Sequence, residues 1–118
     1  MVEIQIRRQT RADGRSAAVV QVAGEVTLDN SPELRRALLE ANLNQAGLLV
    51  VDLARVQKLD SSGIATLVDL ASRTRLNGGR FALSGLPGPV RANLQLAGLE
   101  DFFETHASPE EALRARDA

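Results

Sequence analysis

The amino-acid sequence predicts an α/β fold, a single domain over residues 1–118 with parallel pairing at the centre of its sheet. Three observations carry this. Val2, Ile4 and Ile6 alternate with polar residues, the period of a half-buried strand. Leu48-Leu49-Val50-Val51-Asp52-Leu53 does not alternate, which marks a strand covered on both faces. Between and after these runs, apolar residues recur at helical spacing and give way to glycine, so helices alternate with strands and parallel connections follow.

Taken in order, Met1 to Arg8 reads as a strand, Ala12-Asp13-Gly14-Arg15 as a turn and Ala17 to Ala23 as a second strand, together an antiparallel hairpin. Gly24-Glu25-Val26-Thr27-Leu28 leaves that strand towards a loop. Ser31-Pro32 starts a helix, with a hydroxyl at the N-cap and a proline at the first helical position. Leu34, Leu38 and Ala41, with Ala37 beside them, form its buried stripe, while Glu33, Arg35, Arg36 and Glu40 face water. Gly47 lies just past its end, and the strand Leu48–Leu53 follows.

Ile64, Leu67, Val68, Ala71 and Leu76 then set the inner face of a second helix, which ends at Asn77-Gly78-Gly79. Phe81-Ala82-Leu83 is the next strand. Pro87-Gly88-Pro89 opens a short helix with Val90, Leu94 and Ala97 inward, stopped by Gly98. Phe102-Phe103 begins a last short strand. Ser108-Pro109-Glu110-Glu111 is a capping box for a terminal helix, with Glu111 reaching back to the N-cap.

Composition excludes several kinds of function. Aromatic residues are 3%, with neither Trp nor Tyr, so the core is aliphatic and the composition argues against stacking on bases or sugars as a way to work. A net charge of −1 provides no field for nucleic acid or anionic lipid. Arg7, Arg8, Arg11 and Arg15 read as a solvated edge. Without cysteine there is no disulfide, thiolate metal site or catalytic thiol. The start lacks the apolar core of a secretion signal and no run is long enough for a membrane span, so the chain reads as cytosolic.

The chemistry-bearing stretch is Asp60-Ser61-Ser62-Gly63, between a strand and a helix, where free backbone N–H groups collect. A hydroxyl there is a cap, a nucleophile or a target for modification. Capping requires only one side chain, and two hydroxyls are present. A hydrolase elbow requires G-x-S-x-G, but Leu59 and Asp60 occupy the first-glycine position in the two registers. The single histidine, His106, lies in a polar segment that reads as surface. Gly85-x-x-Gly88 lacks the lysine and spacing of a phosphate loop, and Asp52, Asp60 and Asp69, which the sequence alone does not group into a metal site, read as solvated, capping or partner-facing. No catalytic, metal or cofactor signature remains. A phosphoserine at this position adds about −1.5 to −2 charges. The helix dipole tolerates that charge, whereas a partner surface burying the neutral hydroxyl does not.

Here the chain resembles the STAS domain family and, within it, bacterial anti-sigma factor antagonists. The likeness rests on Val22-Ala23-Gly24-Glu25, Val50-Val51-Asp52-Leu53, Leu59-Asp60-Ser61-Ser62-Gly63-Ile64 and Leu94-Gln95-Leu96-Ala97-Gly98-Leu99, and it covers nearly the whole length. It implies a mixed sheet of four to five strands packed with about four helices. It further implies partner switching: the unphosphorylated protein binds an anti-sigma factor that is itself a serine kinase, the kinase phosphorylates Ser61, the complex parts, and a PP2C-type phosphatase resets it. On that reading Asp60 shapes the site, Ser62 is the neighbouring hydroxyl, a helix cap or a second partner contact, and Gly63 lets the partner's backbone approach and the helix begin. Asp69 and Arg73 are exposed contacts on the same helix. Many antagonists carry G-E-[LIV]-D where this chain has Gly24-Glu25-Val26-Thr27, with Asp29 two residues later; Thr27 and Asp29 therefore stand in the family's partner-binding loop. A STAS subunit of a lipid-transport ABC system or of a stress-signalling assembly is the neighbouring alternative. A serine hydrolase requires His106 within reach of Ser61 or Ser62, and a purely structural module requires partner binding indifferent to Ser61.

Overall fold

The alternation at the start of the chain closes as an antiparallel hairpin in the computed structural model, which describes residues 1–42 and 47–115. Strand β1 (Val2–Thr10) pairs with β2 (Ser16–Val26), Val2 opposite Gly24 and Thr10 opposite Ser16. After α1 (Ser31–Asn42), β3 (Leu48–Leu59) returns parallel to β2; α2 (Ser61–Leu76) leads to β4 (Arg80–Ser84), and α3 (Gly88–Leu96) to β5 (Glu104–His106), again parallel. Helix α4 (Pro109–Arg114) ends the described chain, and the five strands lie in the order β1-β2-β3-β4-β5. The mixed sheet and its four helices agree with the expected architecture.

The two faces of the sheet are covered unequally. Leu49, Val51, Leu53, Leu83 and, from β2, Ala18, Val20, Val22 and Val26 pack beneath α1, α2 and α3 through Leu34, Leu38, Leu67, Leu70, Val90 and Leu94. On the other face, among the described residues, Ala112 and Leu113 of α4 cover Ala17, Val19, Leu48, Val50 and Ala82. Double coverage explains why Leu48–Val51 does not alternate. Beyond Asp52 the strand loses its second cover, so Ala54, Arg55, Gln57 and Lys58 are exposed while Val56 and Leu59 stay buried.

That one-sided half is what the expectation of a Leu48–Leu53 strand omitted. Its partner segment, Gly24–Val26, likewise remains in β2 and does not leave as a loop. Gly24 sits at a register shift with φ of 98°, where a side chain would collide with the Met1 carbonyl. A bulge there keeps the ladder running and looks like a turn in sequence.

Other differences are local. Helix α1 starts with Ser31 itself, because the Asn30 carbonyl accepts from Glu33 and Leu34; Pro32 is the second helical residue, still within the turn whose N–H groups lack helical partners. Leu76 and Ala97 are exposed, and Leu70, Thr66 and Thr74 join Leu67 and Ala71 on the buried side of α2. The last strand begins at Glu104, after Phe103, which is buried 6.2 Å from Phe81 between ring centroids. Ser108 caps α4 by accepting from Glu111 N–H at 3.2 Å, while the Glu111 carboxylate approaches His106 Nδ1 at 3.5 Å.

Candidate functional site

Strand β3 ends at Leu59, and the chain must satisfy the first N–H groups of α2 within one residue. Asp60 does this in extended conformation, with φ −86° and ψ −176°. Its Oδ1 accepts from Ser62 N at 3.0 Å, Gly63 N at 3.2 Å and Ser62 Oγ at 2.5 Å. Its Oδ2 accepts from Leu28 N at 3.1 Å, and its own N–H donates to the Val26 carbonyl at 3.1 Å. One carboxylate thus caps α2 and ties the β2–α1 loop to it. The Ser62 hydroxyl bond, opposed by burial and helped by the N–H groups of Gly63, Ser62 and Leu28, holds the Asp60 carboxyl below its ordinary range.

The two serines consequently differ. Ser62 Oγ is spent on Asp60, and the Ser62 carbonyl accepts from Thr66 Oγ1 at 3.0 Å. Ser61, the first residue of α2, is exposed, and among the described residues none hydrogen-bonds its hydroxyl. The cap is Asp60, so Ser62 serves the helix by bracing the cap and not by being it. Gly63 departs further from expectation. It faces inward, and a Cβ there would lie 2.5 Å from Leu59 Cδ1 and 2.9 Å from Val26 Cγ1. Its bareness lets the first turn of α2 press onto the sheet, so a partner's backbone has no access to it.

The β2–α1 loop completes the surface. Thr27 N donates to Asn30 Oδ1 at 2.9 Å, the Thr27 carbonyl accepts from Asn30 and Ser31, and Asn30 Nδ2 donates to the Glu25 carbonyl at 2.8 Å. This knot leaves Asp29 exposed and Leu28 74% exposed, a large apolar side chain at the tip of a braced loop. Sequence reasoning missed Leu28, since next to Gly24-Glu25 it reads as the start of ordinary loop; the signal lay in an apolar residue with no periodic partner. It also missed Asn30.

Asp69 and Arg73 lie about two to three turns further along α2, and they are occupied. Asp69 Oδ2 lies 2.6 Å from Arg35 Nη1 and 3.1 Å from Arg73 Nε, joining α1 to α2. The Arg35 bond, against burial and with help from Arg73, holds the Asp69 carboxyl below its ordinary range. Arg35, expected to face water alone, is thus half of an inter-helix ion pair. Asp52 is elsewhere: it accepts from Ala54 N at 3.2 Å and Ser84 Oγ at 3.3 Å. The three aspartates therefore have three separate tasks.

His106 is not a surface residue. Its side chain is 14% exposed, Nε2 lies 2.6 Å from Glu104 Oε2, and Arg80 binds the same carboxylate. Ser84 pairs with both His106 and Asp52, so His106 is level with Asp52, seven residues before Leu59. At ~3.3 Å per residue that is roughly 20 Å along the sheet from Ser61. A serine–histidine pair is not assembled.

Comparison with known proteins agrees with this geometry. The family profile described as "Mlab, STAS domain" matches residues 10–105. The anti-sigma-B factor antagonist of Listeria monocytogenes is 28% identical over 83 residues, covering 70% of this chain and 73% of the relative, and that of Listeria innocua gives the same values. Among solved structures, an anti-sigma factor antagonist from Mycobacterium paratuberculosis superposes with a TM-score of 0.78 at 24% identity over 94% of this chain and 92% of its own. SpoIIAA, an anti-sigma factor antagonist in its unphosphorylated form, gives a TM-score of 0.76 at 22% identity, covering 94% and 93%. The Asp60-capped helix, the strand order and the match over residues 10–105 converge, and the chain belongs to the STAS domain family.

Proposed function

We propose that this protein is an anti-sigma factor antagonist that works by partner switching, with Ser61 as the phosphorylated residue. The observation that supports it is the contrast between the serines: Ser62 is bound into the cap, while the Ser61 hydroxyl is exposed at the tip of α2. A phosphate on Ser61 would find the leading N–H groups of Ser62 and Gly63 already taken by the Asp60 carboxylate. The added dianion is therefore poorly compensated and adjoins a negative group. An interface formed against the neutral hydroxyl and the apolar Leu28 would have to bury that ill-paired charge, at about 2–5 kcal/mol, or roughly 30-fold to several-thousand-fold in affinity. Thr27, Leu28, Asp29, Asp60 and Ser61 form the contact surface, with Asp69 and Arg73 at its margin.

The partner on this reading is an anti-sigma factor of the serine-kinase type, and a PP2C-type phosphatase reverses the mark. The protein's role is binding, without a catalytic residue, metal or cofactor of its own. Among the described residues no helix is long and apolar enough to cross a membrane, and we assign the protein to the cytoplasm. A pull-down of kinase-type anti-sigma factors with wild type, Ser61→Ala and Ser61→Asp, followed by phosphosite mapping with ATP, tests the reading. Wild type and Ala bind, Asp fails, and phosphate appears on Ser61. Equal binding by Ala and Asp overturns the switch.

A second reading has its own support. The matching profile carries the name Mlab, and a sulfate transporter family protein from Wolinella succinogenes superposes with a TM-score of 0.71 at 15% identity. Docking on a transporter through the same surface, indifferent to Ser61→Asp, is what equal binding would indicate.

A further inference from the structure

We propose that the open edge of β1 is a self-complementary docking surface for a second copy of this chain, pairing antiparallel about Gln5. Strand β1 is nine residues long and first in the sheet, and among the described residues no strand lies beyond it. The opposite edge, β5, has three residues, too few to template a partner. The Met1 carbonyl accepts from Glu25 N–H, continuing the Val2–Gly24 register. Odd-numbered residues of β1 therefore direct their N–H and C=O groups at β2, and Val2, Ile4, Ile6 and Arg8 direct theirs outward.

Two copies related by a two-fold axis at Gln5 set Ile4 against Ile6 in hydrogen-bonded pairs. Glu3 then stands against Arg7 in the non-hydrogen-bonded pairs, where side chains approach most closely. The segment Glu3-Ile4-Gln5-Ile6-Arg7 is thus its own complement, and the pairing forms two Glu–Arg contacts on one face. Ile4 and Ile6, half-buried in one copy, become covered on the other face, the face that carries the core beneath α1. Other two-fold registers lose this match: an axis at Ile4 sets Glu3 against Gln5, one at Ile6 sets Gln5 against Arg7, and one at Arg7 sets that arginine against itself. Glu3, Gln5 and Arg7 are exposed in the single chain, so no existing packing is broken by the pairing.

The docked area is one strand edge, so the dimer is a weak, reversible one. Antiparallel pairing directs the two Val2 ends, and with them the two Asp60–Ser61 surfaces, to opposite ends of a ten-stranded sheet, leaving both open. The proposal does not depend on what those surfaces bind.

Sedimentation over a concentration series reaching the millimolar range, on wild type, Glu3→Arg, Arg7→Glu and the double swap, tests it, with far-UV circular dichroism showing that each variant is folded. Wild type dimerises reversibly. Each single variant weakens the dimer roughly tenfold or more, because two cross-strand attractions become repulsions. The double swap returns it to within about threefold of wild type. In hydrogen exchange the Ile4 and Ile6 amides gain protection with concentration. A wild type that is monomeric throughout, single variants that associate like wild type, or a double swap no better than the singles each overturns the proposal.

Discussion

Replacing Asp60 by alanine removes four hydrogen bonds at once: three accepted by Oδ1, from Ser62 N, Gly63 N and Ser62 Oγ, and one accepted by Oδ2, from Leu28 N. Loss of an N-cap costs about 1 kcal/mol, and loss of the Leu28 tie costs about 0.5–1.5 kcal/mol more. Water reaches the orphaned donors of this half-exposed site, so the sum stays near ~1.5–2.5 kcal/mol. For a domain of this length that is about 5–12 °C in Tm. Urea denaturation at neutral pH reads the difference directly. Asp60→Asn separates the two parts, since its oxygen still caps α2 while its NH₂ meets the Leu28 N–H donor to donor. It should recover roughly half of the loss.

Acid adds a signature. The folded-state pKa of Asp60 is lowered from its ordinary 3.8, so as pH falls the unfolded chain takes up the proton first. The advantage of wild type over Asp60→Asn is full above that value, declines as pH falls below it, and is lost once pH passes the folded-state pKa. An alanine variant as stable as wild type, or an asparagine variant as damaged as alanine, refutes the assignment of this carboxylate as both cap and tie.

Three further outcomes follow from the same geometry. Ser62→Ala loses its bond to Asp60 and about 0.5–1.5 kcal/mol, whereas Ser61→Ala leaves stability unchanged; equal effects in urea titration would contradict the division between the serines. Gly63→Ala drives a methyl into Leu59 and Val26 and costs about 1–3 kcal/mol by overpacking, read as a lowered Tm with the helix content kept. Glu104→Gln weakens the half-buried contact with Arg80 and His106, costing about 1–2 kcal/mol at neutral pH. Burial raises the Glu104 pKa, but the bonds from Arg80 and then His106 outweigh it and the net direction is down. That loss therefore shrinks as pH falls through the lowered folded-state value, and a pH-independent difference speaks against it.

Local chemistry made much of this molecule legible. Alternation at Val2, Ile4 and Ile6, the unbroken run at Leu48, the helical spacing of Leu34 and Leu38, and Ser108-Pro109 as a helix start depend on period and capping, which a chain carries in its own order. The Asp60-Ser61-Ser62-Gly63 stretch was locatable for the same reason. Errors fell where neighbours distant in sequence set the outcome. Arg55-Val56-Gln57-Lys58 looks like loop until β2 pairs with it, and Gly24 looks like a strand end until the bulge absorbs it. Leu76 and Ala97 keep the helical period but lie past the edge of the core.

At the site the same line divides the two sources. Sequence by itself determined that two hydroxyls and a carboxylate meet at a helix start after a buried strand. Tertiary structure alone decided which group caps, because the choice depends on Leu28 arriving 32 residues away to claim Oδ2 while Ser62 leans onto Oδ1. It also decided that Gly63 faces Leu59 and Val26, and that Asp69 is held by Arg35 from α1. Period and capping act within a few residues; hydrogen-bond partners and facing side chains come from wherever the fold brings the chain back.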